Sequence, residues 1–239
     1  MKTAVIIPTY NESDNIVTLV EEIVALQAVA HIIIVDDYSP DGTGQIADQL
    51  AQQYQEVHVI HRPGKLGLGT AYIAGFKFAL TLPTDCIMTM DADFSHHPRY
   101  IPSLIAQTRV CDLSIGSRYV DGGGTINCNL WRRFLSRMSN TIARLPLGLQ
   151  ARDCTAGFRC YRREVLETMD LDAIFSSGYS FLVEMLYKCQ QLGYRVGEVP
   201  IIFENRRRGA SKISRGEIWK AACTVLRLSW ERLMGLSRP

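Results

Sequence analysis

The segment Met88-Thr-Met-Asp-Ala-Asp-Phe-Ser-His-His-Pro98 continues a short apolar run that begins at Cys86. Asp91 and Asp93 stand two residues apart where that run ends. Two carboxylates that close raise one pKa and cost stability unless something positive lies between them. Their oxygens suit a hard cation such as magnesium or manganese. A cation held there can also grip a diphosphate and assist its departure. Capping of the next helix accounts for at most Asp93 or Ser95 ahead of Pro98. His96 and His97 read as cap or wall residues rather than ligands. A second acidic pair, Asp36-Asp37, follows the run His31-Ile-Ile-Ile-Val35. A carboxylate there accepts hydrogen bonds from ribose hydroxyls or a base edge. Turn chemistry around Pro40-Asp-Gly42 is the other use for it. Gly64-Lys-Leu-Gly-Leu-Gly69 lacks the Gly-Lys-Ser/Thr ending of a phosphate loop and follows the third strand, so it is not a dinucleotide fingerprint.

The elements that must place these residues follow from apolar periodicity. Thr3–Ile7, 31–35, 57–60, 86–90 and 112–115 are short continuous apolar runs, read as buried strands. Between them, 13–27 and 41–54 have helical spacing, and the Gly-rich turn at 64–69 leads into a helix through Leu80. Continuous apolar strands alternating with helices predict an α/β fold with a mainly parallel central sheet and helices on both faces. Ligands in such folds sit outside the carboxyl ends of the strands. Pro8-Thr-Tyr-Asn-Glu12, Asp36-Asp37 and Asp91-Ala-Asp93 all fall there. Further along, 129–145, 180–192 and 216–236 read as helices and 194–203 as a strand. In the last helix Trp219, Ala222, Leu226, Trp230 and Leu233 form an apolar stripe. Packing onto its own domain, onto a partner, or onto a membrane surface all fit that stripe.

The chain has 239 residues, 47% hydrophobic and 21% charged, with a net charge of +2. That balance conceals an asymmetry. Residues 1–117 hold 6 Lys/Arg against 13 Asp/Glu, net −7; residues 118–239 hold 20 against 11, net +9. The acidic part suits a metal and the basic part an anion or anionic surface. The seven Cys are odd in number and form no CxxC pair, which predicts reduced thiols rather than disulfides or a zinc site. No secretory leader is expected at the start, no internal repeat is present, and no nucleic-acid partner is expected.

The motif series Pro8–Glu12, Val35-Asp-Asp37, Asp91–Pro98 and Gly116-Ser-Arg118 resembles that of family 2 inverting glycosyltransferases with a GT-A fold. Asp153-Cys-Thr-Ala-Gly-Phe-Arg159, Gly178-Tyr-Ser-Phe181, Val183–Tyr187, Gly193–Pro200 and Arg206 with Lys212 are similar to the dolichol-phosphate, or polyprenol-phosphate, mannosyltransferases. The resemblance runs from about residue 3 to about residue 215. It implies a catalytic domain over 1–215, which the amphipathic helix at 216–239 follows; the family includes members with C-terminal membrane spans, and the expectation is that this chain is of the compact type without them. It implies that Pro8, Tyr10, Glu12, Val35, Asp37 and Ala92 hold the donor, GDP-mannose, together with Asp91 and Asp93. It assigns Mg2+ or Mn2+ to Asp91 and Asp93, with Ser95 standing where the family usually has Gln. Arg118, Arg132 and Ser136 would meet the acceptor phosphate, and Arg206 and Lys212 would close on the diphosphate. Asp93, Arg118, Arg132 and Lys212 are the expected catalytic group.

The chemistry is self-consistent. A phosphate monoester is already anionic at neutral pH, its second pKa being about 6. It needs orientation by arginine rather than a general base. The expected reaction is mannose transfer to polyprenyl phosphate with inversion, at the cytoplasmic face of a membrane, with a separate anchoring subunit left open. The same acceptor with a UDP-sugar, and a non-catalytic nucleotide-sugar-binding subunit, are the alternatives.

Overall fold

The structure is a computed structural model that describes residues 1–128, 130–204 and 215–234, without the side chains of Leu130, Arg132, Tyr179 and 215–220. Nine strands and eight α-helices are described: β1 Thr3–Thr9, α1 Ile16–Ala25, β2 His31–Asp36, α2 Thr43–Gln53, β3 Val57–His61, α3 Leu68–Ala79, β4 Cys86–Thr89, α4 Ile101–Gln107, β5 Leu113–Ser117, β6 Gly124–Ile126, α5 Leu130–Leu147, β7 Arg159–Arg162, α6 Arg163–Thr168, α7 Tyr179–Gln191, β8 Val196–Pro200, β9 Ile202–Glu204 and α8 Arg215–Leu233. Seven strands form one sheet in the order β3-β2-β1-β4-β7-β5-β8. All neighbours are parallel except β7, which runs antiparallel to both β4 and β5.

The apolar runs are continuous because both faces of the sheet are covered. Alternate residues of β1 and β2 enter opposite cores. Val5, Ile7, Ile32 and Ile34 pack with Leu19 and Ile23 of α1, Leu50 of α2 and Leu104 of α4. Ala4, Ile6, Ile33 and Val35 pack with Tyr72 and Phe76 of α3, Phe181 and Leu186 of α7, and a layer that includes Ala143 of α5 and Leu228 of α8. Chain order turns back between β1 and β4, since β2 and β3 build outward on one side and β4 starts the other. A crevice at such a reversal is where ligands enter a parallel sheet.

Four expectations are corrected. Strand β7 is absent from the sequence-based element list. The single strand expected at 194–203 is two: β8 pairs with β5, and after Ile201 the chain leaves the main sheet as β9, which pairs with β6 in a separate two-stranded ladder. The stripe expected to define the last helix is also turned outward where it is described. Leu226, Trp230 and Leu233 are exposed, while Thr224, Val225 and Leu228 face the core. Trp219 belongs to the side chains outside the description. The first helix is shorter than expected, because the Asn15 and Ile16 N–H groups both turn back to Glu12 O.

Gly75 sets how closely α3 approaches the sheet. A Cβ there would overlap Cγ2 of Ile6. Gly75→Ala is expected to destabilise the fold by roughly 1–3 kcal/mol through overpacking. A thermal melt checks this. An unchanged Tm would show that α3 can move away from β1 at no cost.

Candidate active site

Strand register brings the first two polar clusters together. Pro8 pairs with Val35 and Thr9 with Asp36, so β1 and β2 end level. The two neighbouring aspartates then divide the work. Asp36 is a turn residue: it accepts from Thr9 Oγ1 at 3.0 Å, Ser39 Oγ at 2.6 Å and Ser39 N at 3.1 Å. Asp37 Oδ1 lies 2.8 Å from Arg62 Nη1, outside the N–H direction, making an ion pair rather than an aligned hydrogen bond. Burial raises the Asp37 pKa from its ordinary value, while Arg62 opposes that shift. The Arg62 guanidinium also donates to Thr70 Oγ1 at 2.6 Å and Gly67 O at 3.4 Å. The Gly-rich turn is thereby held against Asp37, and its Lys65 Nζ rests 4.1 Å from the centroid of the Tyr10 ring. The loop bearing Tyr10 and Glu12 is fastened by Asn11 N to Ser39 Oγ at 3.1 Å and Glu12 N to Thr43 Oγ1 at 3.0 Å. Val35 is fully buried, so its side chain lies in the core rather than at this edge.

The third cluster begins one residue past Met90, whose N–H bonds to Ile6 O and continues the β1–β4 pairing. Asp91 Oδ1 accepts from the Tyr72 hydroxyl at 3.2 Å. Burial, and then the Asp91 charge, hold the Tyr72 pKa well above its usual value, so the phenol keeps its proton. Asp91 N donates to His96 Nδ1 at 3.2 Å, which assigns the ring proton of neutral His96 to Nε2. His96 stacks on Phe158 at 5.2 Å and meets Phe203 edge-on at 5.9 Å, so it is a wall. His97 is a cap, its Nδ1 accepting from Arg99 N at 3.3 Å. Asp93 Oδ1 accepts from Ser95 N at 3.1 Å across Phe94, whose φ of 59° is left-handed. These bonds over-determine a strained turn, as at many working sites.

This loop fits a divalent cation. Its donors are all oxygen, and Ser95 Oγ is buried without a hydrogen-bond partner among the described residues. No group of three His, Cys, Asp or Glu that could enclose a metal occurs among the described residues. Two carboxylates are the protein share expected when a bound diphosphate completes the shell.

Opposite stands a second constellation. Arg118, just beyond β5, grips Asp153 through Nε at 2.7 Å and Nη2 at 2.6 Å, and its backbone N donates to the same carboxylate at 3.0 Å. Burial pulls the Arg118 pKa down, but the Asp153 charge and hydrogen bonds outweigh this and raise it. Asp153 is fully buried, and Glu198 of β8 fixes its backbone by accepting from Arg152 N at 2.8 Å and Asp153 N at 3.0 Å. Arg118 Nη2 also donates to Thr155 Oγ1 at 3.1 Å, as does Asn140 Nδ2 of α5 at 3.1 Å. One turn earlier on α5, Ser136 accepts from the Tyr119 hydroxyl at 2.8 Å. The side chain of Arg132 and the residues Arg206 and Lys212 lie outside the description.

Two contacts join the constellations. A Cβ on Gly157 would sit 3.5 Å from Asp91 Oδ1 and 3.4 Å from His96 Cε1, so the 153–157 loop lies against the acidic turn. The Phe203 ring lies 5.3 Å from the Arg118 guanidinium as well as beside His96. Residues 153–157 are shaped by Arg159, fully buried at the start of β7, which donates to Cys154 O, Ala156 O and Leu182 O at 2.7–2.8 Å. Sequence reasoning gave no role to Arg62, Lys65, Tyr72, Asn140, Arg159, Glu198 or Phe203. The one available signal was the segment 153–159 itself, which mixes Asp, Thr, Gly and Arg just ahead of a strand.

Residues 4–170 match the family described as Glycosyl transferase family 2, and the chain belongs to that family. An undecaprenyl-phosphate mannosyltransferase of Micrococcus luteus is 43% identical over 237 residues, covering 98% of each chain. A polyprenol monophosphomannose synthase of Mycolicibacterium smegmatis is 47% identical over 227 residues, covering 94% of this chain and 85% of the relative. Among solved structures, glucosyl-3-phosphoglycerate synthase of Mycobacterium tuberculosis with Mn2+, UDP-glucose and phosphoglyceric acid superposes with a TM-score of 0.70 at 17% identity, covering 96% of this chain and 80% of that one. A Pyrobaculum calidifontis mannosyltransferase with GDP-mannose and Mn2+ gives 0.60 at 14%, covering 98% and 74%. These structural likenesses establish the GT-A fold.

Arg159→Met removes the donors for three carbonyls in the interior. It is expected to cost about 3 kcal/mol, a Tm drop on the order of 6–12 °C for a domain of this size. A melt within a degree or two of the parent would show that Arg159 does not hold the 153–157 loop.

Proposed function

We propose that this chain transfers mannose from GDP-mannose to the phosphate of a polyprenyl phosphate, with inversion, giving a β-linked polyprenyl-phosphate mannose. The observation that carries this reading is the near-full-length similarity to two enzymes named for mannose and polyprenyl phosphates. The site supports it chemically. An acidic turn suited to a cation faces an arginine network suited to an anion, and nothing in the reaction calls for a general base.

In this reading the base and ribose of the donor lie over Tyr10 and beside Asp37 and Glu12. The base takes the place that the Lys65 ammonium now holds on the Tyr10 ring, and Lys65 moves to its carbonyl edge. Asp91 and Asp93 hold the divalent cation, which when bound neutralises the diphosphate. Asp153 fixes the angle of Arg118, and Arg118, Ser136 and Arg132 set the acceptor phosphate in line with the anomeric carbon. A phosphate oxygen forms the new bond to that carbon while its bond to the diphosphate oxygen breaks and GDP departs. One displacement inverts the centre. Arg206 and Lys212 are the proposed cover for the diphosphate.

No helix among the described residues is long and apolar enough to cross a membrane. Work at the cytoplasmic membrane surface is therefore proposed as peripheral.

The test supplies purified protein, a short isoprenyl phosphate and Mg2+ or Mn2+, with labelled GDP-mannose, UDP-glucose and UDP-N-acetylglucosamine in parallel. Label should reach the organic phase from GDP-mannose alone, and vanish with EDTA or Asp93→Ala. Transfer from a UDP-sugar instead would replace the donor assignment. Binding of a nucleotide sugar without any transfer would favour a non-catalytic subunit. Lys65→Ala should raise the donor KM about tenfold, the scale of a lost hydrogen bond from a charged group to the base, with kcat changed less. An unaltered KM would remove Lys65 from the donor site.

A further inference from the structure

One flank of α5, formed by Arg137, Asn140, Thr141 and Arg144, lines a cleft of about 290 Å3. Residues three and four apart share one side of a helix, which is why these four meet there. Tyr119, two residues past the end of β5, and Arg152, just ahead of Asp153, supply the remaining walls. Asn140 is 3% exposed, so the cleft reaches the buried side of the helix. Among the described residues no carboxylate lines it. Of the carboxylates around Arg152, Asp153 is held by Arg118, and Glu198 accepts from the backbone N–H groups of Arg152 and Asp153.

The three arginines of this cleft differ from others in the molecule. Arg62, Arg118, Arg163 and Arg227 each hold a carboxylate. Arg137, Arg144 and Arg152 form no ion pair among the described residues. Their contacts are weaker ones: the Arg137 guanidinium lies 5.9 Å from the Tyr119 ring, and Arg144 Nε donates to Leu149 O at 3.2 Å. Three like charges around one hollow repel one another, and the fold supplies no opposite charge to relieve them. The neutral walls have already spent their protons. Asn140 Nδ2 donates to Ser136 O and Thr155 Oγ1, Thr141 Oγ1 to Arg137 O, and the Tyr119 hydroxyl to Ser136 Oγ. The guanidiniums are thus the donors left to the cleft, and guanidiniums meet phosphate oxygens through paired, charge-assisted hydrogen bonds.

We infer that this cleft is a second anion subsite, distinct from the one at Arg118, and that it takes the phosphate of a phosphate monoester. Such a group carries about −1.5 to −2 charges at pH 7 and three oxygens open to donors, which suits three guanidiniums better than a singly charged diester does. Tyr119 and Asn140 form the partition between the two subsites, since each lines the cleft and also bonds to the acceptor side, at Ser136 and Thr155. The subsite stands without the function proposed above. A soluble phosphate monoester and the phosphate of an isoprenyl lipid share this chemistry.

The test treats the full chain with phenylglyoxal, which modifies guanidiniums, and follows Arg144 by peptide mass spectrometry. Glycerol 3-phosphate should protect Arg144 saturably against a chloride control of equal ionic strength, and less as salt rises. The double variant Arg137→Gln, Arg152→Gln should need about tenfold more glycerol 3-phosphate for the same protection, the scale of a lost hydrogen bond to a charged group. Neither side chain hydrogen-bonds within the described residues, so the variant should retain its thermal melt; if it does not, each single variant gives the same reading. A short isoprenyl phosphate run in parallel separates the sources. Protection at lower concentration than glycerol 3-phosphate identifies a lipid-borne phosphate, equal or weaker protection a soluble one, and either upholds the subsite. Protection no greater than with chloride, or unchanged in the variants, would overturn it and leave a solvated basic patch. Arg144 protection without sugar transfer from any donor would uphold the subsite and count against the proposed function alone.

Discussion

Asp153 carries a full carboxylate with no exposed surface. A desolvated charge is tolerable only with a partner of matched geometry and enough hydrogen bonds to replace water. Arg118 provides the first and the backbone N–H of Arg118 adds to the second. The arginine therefore cannot swing freely toward solvent without stranding the carboxylate. That constraint fixes one guanidinium at the end of β5, and through Thr155 and Asn140 it fixes α5 relative to the sheet. Glu198 extends the same constraint to β8. Both the position of the anion-directed side chains and the orientation of the exposed helix face depend on this pair.

The charge asymmetry along the sequence becomes a spatial division. Asp36, Asp37, Asp91 and Asp93 of the first half stand at the ends of β2 and β4, where a cation suits them. Arg118 at the end of β5 and the four arginines of α5, all in the second half, lie where an anion suits them. Gly157 lies where the two sides meet, and a Cβ there would fall in ordinary contact with Asp91 and His96. A cation site beside an anion site separates by sign the two phosphate-bearing groups that the proposed reaction must bring close.

Much of this was legible in the residues. The runs at β1, β2, β4 and β5 announced buried parallel strands, and each ended in polar residues, so convergence on one edge followed from topology. What escaped did so for physical reasons. β7 begins with Arg159, a residue that periodicity assigns to the surface; its charge is satisfied by three carbonyls that only the tertiary fold brings together. Asp36 and Asp37 are alike as letters and separate only through Ser39 and Arg62. Pro200 and Ile201 sit within one β-like run, and nothing local says that the chain changes sheet there. Helix α8 has two apolar sets, and spacing reveals a stripe without telling which one meets protein. Lys65 was read as part of a failed phosphate loop; its place over Tyr10 depends on Arg62 holding the turn.

The reversed direction of β7 bears on how the molecule is made. β4 finds its neighbour only when Cys86 meets Arg162, 76 positions later, and β5 pairs with the same strand. Until residues 159–162 have left the ribosome, β4 ends the sheet as a bare edge, and β1 to β4 can assemble without the half that carries Arg118. Long-range pairing of this kind is slow, and an open apolar edge invites association with other chains. The half that carries the acidic turn is thus complete in connectivity well before the half that carries Arg118, and the last central strand closes the sheet and brings the two together.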